Sequence, residues 1–244
     1  MNKINIDENN KLNTEEILKD KDCKIGIMGG SFDPCHKGHI ALAFDVVRRL
    51  SFDKVILVPT FIQPFKQEVK AMPAEDRLKI LKLSIESELN FSKGDALEDS
   101  STKSLEKING KLEISDYEIN KGEISYTYDT LMHFKENLYS DCEIYFICGS
   151  DSILHIDRWY KAEKILDKFG VVVGRRPGDV EEKQIKDKLE QLRRDYNANI
   201  LEVANNLYDI SSTEIRKCLK EGLPIDEYVY ESVEEYILNN GLYV

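Results

Sequence analysis

The sequence predicts an α/β protein with a doubly wound, mostly parallel sheet. Short apolar runs alternate with amphipathic helical segments along most of the 244 residues. This alternation is typical of parallel strands that are covered by helices on both faces. A pair of glycines follows the first apolar run and precedes the first long helical pattern. Since ligands of such sheets bind at the carboxyl ends of the strands, we expect the functional site there.

The elements are predicted from the length and period of each apolar segment. Runs of strand length lie at residues 24–28, 54–59, 143–148, 170–174 and 199–203. Helical periods lie at residues 40–50, 74–87, 128–138, 159–168, 180–196, 213–220 and 229–239, and Pro73 stands close to the start of the second. Residues 112–126 are expected to form a hairpin around Asn120-Lys121-Gly122.

Two segments interrupt the pattern. Residues 1–22 are polar and charged, which predicts an extension before a single domain at 23–244. Residues 92–111 are polar and have neither a helical nor a strand period, so we expect a surface insertion.

Composition excludes several classes of protein. The net charge of −11 makes nonspecific binding to nucleic acid or to an anionic membrane unfavourable. No stretch approaches the roughly 20 apolar residues of a membrane span, and the first residues contain no apolar signal region, so a cytoplasmic protein is expected. The five cysteines are odd in number and form no CxxC pair. We therefore expect reduced thiols and no zinc site.

The most informative segment is Gly29-Gly30-Ser31-Phe32-Asp33-Pro34-Cys35-His36-Lys37-Gly38-His39, which leads from the first strand into the first helix. Paired glycines let backbone N–H groups approach a phosphate, and a helix N-terminus adds a partial positive charge. His36 and His39 are three residues apart and can lie together over the first turn, where Gly38 leaves space for a ligand.

Other interpretations of this segment are a tight turn, a structural pair of histidines, or a metal site that lacks a carboxylate. The glycine spacing fits neither the GxGxxG fingerprint nor the Walker A motif. Cys35 could be a reactive thiolate beside the helix start or an inert small side chain.

The segment resembles the signature of the nucleotidyltransferases with the HxGH motif. Ile210-Ser211-Ser212-Thr213-Glu214-Ile215-Arg216 is similar to the ISSTxIR signature of the same superfamily, although alone it would read only as a helix start. The resemblance implies a Rossmann-like fold, catalysis by His36 and His39, and Mg²⁺ carried by ATP rather than by metal ligands of the protein. It implies the following ATP-binding residues: Gly29, Gly30, Ser31, Phe32, His36, His39, Ser211, Ser212, Thr213 and Arg216.

Three further stretches resemble the nicotinate mononucleotide adenylyltransferase branch: residues 125–131 (SYTYDTL), Gly149-Ser150-Asp151 with Trp159, and residues 172–178 (VVGRRPG). This resemblance implies that Trp159 stacks on the pyridine ring, that Asp151 contacts a sugar hydroxyl and that Thr127 helps to fix the acceptor. Trp159 could instead be a core residue, and Asp151 a helix N-cap.

The sequence departs from that branch after the second strand, where Phe65 stands at the histidine of the family's PHK. Lys66 remains as a candidate phosphate contact in the acceptor site. Two rival functions stay open: a phosphopantetheine adenylyltransferase and a non-catalytic nucleotide sensor. The sequence leaves undecided whether the acceptor is the nicotinate or the nicotinamide mononucleotide, and whether the chain forms a homo-oligomer.

Overall fold

The computed structural model describes residues 23–65, 71–94, 108, 110–175, 182–204 and 210–243. Within these ranges six strands form one sheet whose neighbours all pair in parallel, in the order β3-β2-β1-β4-β5-β6. The strands are β1 (Lys24–Gly30), β2 (Lys54–Pro59), β3 (Leu112–Ile114), β4 (Glu143–Gly149), β5 (Gly170–Arg175) and β6 (Ile200–Ala204). The prediction of a doubly wound parallel sheet is confirmed.

The helices that cover the sheet are α1 (Lys37–Arg49), α2 (Ala74–Gly94), α3 (Tyr117–Lys121), α4 (Thr127–Asn137), α5 (Ser150–Ile153), α6 (Ala162–Lys168), α7 (Glu182–Tyr196), α8 (Ser212–Lys220) and α9 (Glu231–Asn239). A short 3₁₀ turn spans Ile156–Arg158. The helix predicted at 159–168 begins later because Trp159 has an extended backbone (φ −79°, ψ 154°). In the described ranges, no helix combines the length and the apolar character that a bilayer crossing requires.

Each face of the sheet has its own hydrophobic core. In β5 the side chain of Val172 belongs to the core that includes α1, α2, α8 and α9 on one face, whereas Val171 and Val173 belong to the core with α4, α6 and α7 on the other. Successive side chains of a strand point to opposite faces, so a strand that is buried on both sides must be apolar throughout. This explains why the predicted strands read as continuous apolar runs.

The predicted hairpin at 112–126 is wrong. β3 pairs in parallel with β2, and Asn120 and Lys121 belong to α3. Gly122 adopts the left-handed conformation (φ 68°) as the C-cap of that helix, and its N–H donates to Glu118 O and Ile119 O. The same glycine chemistry serves a hairpin turn and a helix C-cap, so composition alone did not separate them.

The 92–111 segment is attached to the domain at both ends. α2 continues to Gly94, and Ile108 is buried in the core at 2 % exposure. Lys111 follows as the lead into β3, and its carbonyl accepts from Val55 N (2.8 Å). Residues 95–107 lie outside the described residues, as does the 1–22 extension.

The expectation that all five cysteines are reduced is wrong for two of them. Cys23 and Cys142 form a disulfide with a Cα–Cα distance of 4.6 Å and a sequence separation of 119 residues. They precede paired residues, since Lys24 lies opposite Glu143 in the β1–β4 register. The pairing of β1 with β4 brings the two cysteines together, so their spacing in the sequence does not reveal that they are neighbours. Cys35, Cys148 and Cys218 are free.

Candidate active site

Two neighbouring cavities open at the carboxyl ends of β1 and β4. The strand order reverses between these two strands, and the crevice at such a switch point is where open parallel sheets bind ligands. We call them the histidine cavity, of about 380 Å³, and the tryptophan cavity, of about 410 Å³. Gly29, Gly30, Gln63 and Ser152 line both of them, so the two cavities meet at the end of β1.

The histidine cavity brings the two sequence motifs together. With the exception of Phe32, every residue that the resemblance implies for ATP binding lines it: Gly29, Gly30, Ser31, His36, His39, Ser211, Ser212, Thr213 and Arg216. The motifs are more than 170 residues apart in the chain, and hydrogen bonds join them directly. Ser212 Oγ donates to Pro34 O (2.9 Å), and Arg216 Nη1 donates to Asp33 O (2.5 Å).

The two histidines form a stacked pair at the start of α1. Their ring centroids are 3.7 Å apart with an interplanar angle of 26°. His36 is the N-cap of α1 and is buried, and its backbone N–H donates to His39 Nδ1 (3.3 Å). Because Nδ1 of His39 accepts, a neutral His39 carries its proton on Nε2. The pair therefore presents imidazole donors beside a helix N-terminus that has no acidic residue in its first turn.

The two other residues of the HKGH segment have structural contacts. A Cβ at Gly38 would lie 3.1 Å from His36 Nδ1 and 3.3 Å from Ile210 Cγ2, so the glycine makes room for the imidazole as well as lining the cavity. Lys37 does not line the cavity, and its Nζ donates instead to Asp226 O (2.8 Å). This lysine thus anchors the C-terminal segment to α1.

The loop between β1 and α1 is held from outside the motif. Arg77 of α2 is only 2 % exposed, and its Nη1 donates to Ser31 O (2.7 Å). Tyr243 Oη donates to Asp33 Oδ1 (2.8 Å). Burial, followed by the Asp33 carboxylate, raises the pKa of Tyr243, so the phenol keeps the proton that it donates. Neither residue was predicted from the sequence, because neither belongs to a motif.

Phe32 supports the site from beneath rather than lining it. Its side chain is buried in the core and meets the His39 ring edge-on, with centroids 5.1 Å apart. The backbone of Phe32 is left-handed (φ 46°), a conformation that bulky residues rarely adopt and that clusters at functional sites.

The thiolate interpretation of Cys35 is wrong. The side chain is fully buried in the core, and burial raises the pKa of its thiol to about 12. A buried thiol in apolar surroundings is inert, so Cys35 is a small packing residue.

The tryptophan cavity contains two of the residues expected to bind the acceptor. Trp159 and Thr127 line it, together with Ser125, Tyr126, Tyr160 and the strand residue Phe146. The indole of Trp159 is half-buried and packs edge-on against Phe146 (centroids 5.4 Å, 68°), which leaves part of the ring facing the cavity. Trp159 is therefore both a packing residue and a cavity wall. Lys66 lies outside the described residues.

Phe65 also lines the tryptophan cavity, and it is 69 % exposed. A large apolar side chain in solvent at a cavity mouth is available to cover a ligand. The residue that replaces the family's histidine thus occupies the rim of this cavity.

Two charged residues of the tryptophan cavity were missed by sequence analysis. Glu118 is 4 % exposed, accepts from Thr130 Oγ1 (2.5 Å) and has no hydrogen-bond partner at Oε2 among the described residues. Burial raises the pKa of this carboxyl, against the opposing hydrogen bonds of Thr130 and Ser125 and the charge of Lys121. Arg158, directly before Trp159, is the other.

Asp151 lines the histidine cavity rather than the tryptophan cavity. It lies in the first turn of α5, and the N-cap of that helix is Gly149, so the capping interpretation of Asp151 does not hold. In the described part of the chain, no three His, Cys, Asp or Glu side chains form a group that could hold a metal ion.

The fold and the site define a nucleotidyltransferase, and the family model described as cytidylyltransferase-like matches residues 27–218. A protein of Caldicellulosiruptor saccharolyticus, named probable nicotinate-nucleotide adenylyltransferase, is 37 % identical over 220 residues, which cover 90 % of this chain and 98 % of the relative. A Clostridium botulinum protein of the same name is 35 % identical over 217 residues, 89 % of this chain and 97 % of the relative. The chain belongs to this nicotinate-nucleotide adenylyltransferase family.

Solved structures agree on the fold. The nicotinic acid mononucleotide adenylyltransferase of Plasmodium falciparum, complexed with NaAD, superposes with a TM-score of 0.67 at 22 % identity, covering 91 % of this chain and 97 % of that one. A second structure of the same protein, complexed with APC, gives a TM-score of 0.66.

Proposed function

We propose that the protein transfers AMP from ATP to nicotinate mononucleotide, which yields nicotinate adenine dinucleotide and pyrophosphate. The observation that carries this proposal is the meeting of the two cavities at Gly29 and Gly30. An adenylyl transfer requires two nucleotides that are bound with their reacting phosphates next to each other. The two cavities can bind one nucleotide each, with the phosphates at the junction.

In the proposed reaction, a 5′-phosphate oxygen of the acceptor attacks the α-phosphorus of ATP in line with the leaving group. The new P–O bond forms as the bond to the β-phosphate oxygen breaks, and pyrophosphate departs. Catalysis is mainly positioning and charge stabilisation, since no covalent intermediate with the enzyme is required.

His36 and His39 would donate to phosphate oxygens as negative charge moves toward the leaving group. The hydrogen bond from His36 N to His39 Nδ1 supports this role, because it fixes the His39 tautomer that donates through Nε2. The N–H groups at the starts of α1 and α8 and the guanidinium of Arg216 would bind the remaining phosphate charge.

Mg²⁺ carried with ATP would supply further charge neutralisation beside Arg216 and the helix N-termini. An ion that is carried on a nucleotide needs few protein ligands. The proposal places the enzyme in the cytoplasm, which holds the ATP pool.

The test is a pyrophosphate-release assay with ATP and one of three additions: nicotinate mononucleotide, phosphopantetheine or no acceptor. We expect release only with the pyridine mononucleotide, with nicotinate adenine dinucleotide as the second product by mass spectrometry. If ATP released pyrophosphate with phosphopantetheine but not with nicotinate mononucleotide, the protein would be the rival transferase. If it bound ATP but released no pyrophosphate with any acceptor, it would be a nucleotide sensor.

A further inference from the structure

The position of Tyr243 is set by the way in which α9 ends. The N–H of Leu242 donates to Ile237 O (3.0 Å). The N–H of Gly241 donates to Leu238 O (3.2 Å), and the two bonds together make the Schellman pattern of helix termination. Gly241 (φ 56°) supplies the left-handed residue that this pattern requires. The chain therefore turns back after α9, and Leu242 and Tyr243 are both buried.

The phenol of Tyr243 reaches into the loop between β1 and α1. Its Oη donates to Asp33 Oδ1 (2.8 Å), and the two residues are only 8 % and 7 % exposed. The backbone of Tyr243 is left-handed (φ 69°), a conformation that a bulky residue keeps only where its surroundings hold it. Because a buried polar group needs a hydrogen-bond partner, this bond fixes Asp33 as much as it fixes Tyr243.

Asp33 is connected to both of the motifs that line the histidine cavity. Its carbonyl oxygen accepts from Nη1 of Arg216, the arginine of the second motif. The preceding residue, Phe32, has a left-handed backbone, and its ring meets the ring of His39 edge-on. A shift of Asp33 would therefore move both the carbonyl that holds Arg216 and the ring that supports His39.

The segment between α8 and α9 holds the other side of the same loop. The N–H of Lys37 donates to Tyr228 O (3.0 Å), and Lys37 Nζ donates to Asp226 O (2.8 Å). These bonds end on main-chain carbonyls, whereas the bond to Asp33 comes from a side-chain hydroxyl that a substitution can remove alone. Tyr243 is thus the residue at which the positioning of the loop can be tested separately.

We propose that Tyr243 is a positioning residue for the adenylyl transfer, because it holds Asp33 where Arg216 and His39 can meet the phosphates of ATP. Donors that are fixed in advance stabilise a developing charge without having to be ordered during the reaction. Tyr243 lines neither cavity, so it acts through Asp33 and not on the substrate. The inference rests on the proposed function and adds to it a residue that lies outside both motifs.

The experiment compares Tyr243→Phe with Tyr236→Phe, the matched control. Tyr236 Oη makes the same kind of bond from α9 to Asp76 Oδ1 (2.8 Å), and Tyr236 also lines neither cavity. We expect Tyr243→Phe to lower kcat by about 10-fold, less than the roughly 100-fold cost of a full ångström of misplacement. Tyr236→Phe should keep the kcat of the wild type, measured at a temperature where thermal melting shows both variants folded.

Two further readouts separate positioning from a loss of stability. KM for the acceptor should stay close to the wild-type value in Tyr243→Phe, because the contacts of the tryptophan cavity are unchanged. Asp33→Asn keeps an oxygen that can accept from the Tyr243 hydroxyl, so it should lose less kcat than Tyr243→Phe does.

A titration of ATP and of AMP into each variant does not depend on the acceptor. Arg216 would bind phosphates that AMP lacks. We therefore expect Tyr243→Phe to weaken ATP binding by about three- to tenfold, the range of one typical hydrogen bond, and to leave AMP binding unchanged. A disturbance of the whole cavity would weaken the binding of both nucleotides.

Two results would overturn the inference. A folded Tyr243→Phe with the kcat and the ATP affinity of Tyr236→Phe would mean that the bond to Asp33 contributes only to stability. An equal loss of ATP and AMP binding would mean that the substitution does not act through the arrangement of Arg216. Either result leaves the proposed function standing. A wild type that binds ATP but transfers no AMP to the pyridine mononucleotide would remove the proposed function, and with it a role for Tyr243 in that transfer.

Discussion

The histidine cavity and the tryptophan cavity share one end of the sheet but are built in different ways. The histidine cavity takes its polar residues mainly from two short segments, around 29–39 and 210–216. The tryptophan cavity collects its wall from the end of β1, the segment after β2, α3, the 125–127 turn, β4 and residues 152–160. A cavity that is built from contiguous residues can be recognised from a sequence motif. A cavity that is assembled from scattered segments can be recognised only in part.

The same contrast separates chemistry from selection. The reacting phosphates of ATP are constant, so donors at fixed helix starts can bind them in the histidine cavity. The acceptor varies among related transferases, and loops and short helices can change without moving the sheet. We therefore expect changes in the histidine cavity to affect turnover, and changes in the tryptophan cavity to affect acceptor affinity.

The largest effect is expected from the histidines. Replacing His36 or His39 with Ala should lower kcat by about 100-fold or more, the cost of losing one preorganised donor to a developing charge. KM for ATP and for the acceptor should change far less. Steady-state kinetics with both substrates varied in turn would measure this.

The control for the histidine variants is His155→Ala, an exposed histidine that lines neither cavity. Because His36 is buried, thermal melting must show that its variant is folded before the kinetics are compared. A folded His39→Ala enzyme with near-normal kcat would contradict the catalytic assignment.

The sequence predicts the features that neighbouring residues encode and does not predict those that depend on distant residues. Five strands and both motifs were predicted because each is encoded by neighbouring residues. A strand at the position of β3 was expected only as one arm of a hairpin, and its parallel pairing with β2 was missed because that partner lies far along the chain. Arg77, Glu118 and the Cys23–Cys142 bridge were missed because their meaning depends on burial or on a partner far along the chain, which only tertiary packing creates.

A smaller effect is expected in the tryptophan cavity. Replacing Trp159 with Ala should weaken binding of nicotinate mononucleotide by about 1–3 kcal/mol, the range for aromatic stacking on bases, while ATP binding is kept. Trp159→Phe should recover part of the loss. Since Trp159 is the single tryptophan of the chain, its fluorescence in the wild type reports acceptor binding directly.

Thermal melting separates the two roles of Trp159. Its contact with Phe146 predicts some loss of stability, but a half-buried ring should cost less than the roughly 3–5 kcal/mol of a fully buried aromatic residue. A variant that melts far below the wild type and loses ATP and acceptor equally would show that packing is its main role, and the contrast between the two cavities would then fail at this residue.

The smallest effect on catalysis is expected from the Cys23–Cys142 bridge. It joins the amino ends of β1 and β4, the two strands whose carboxyl ends form the junction of the cavities. Replacing Cys142 with Ser should lower the free energy of unfolding by about 2–5 kcal/mol, because the bridge closes a long loop in the unfolded chain. For a domain of this size the melting temperature falls by about 2–4 °C per kcal/mol.

The kinetics of Cys142→Ser should nonetheless match those of the wild type, because the hydrogen-bonded register of β1 with β4 positions the junction independently of the bridge. Dithiothreitol should lower the melting temperature of the wild type and leave that of Cys142→Ser unchanged. Cys218→Ser, at a free and half-buried thiol, should respond to the reductant as the wild type does. A loss of turnover in Cys142→Ser at a temperature where it is folded would mean that the bridge helps to position the cavities, and the amino end of the sheet would then belong to the functional machinery.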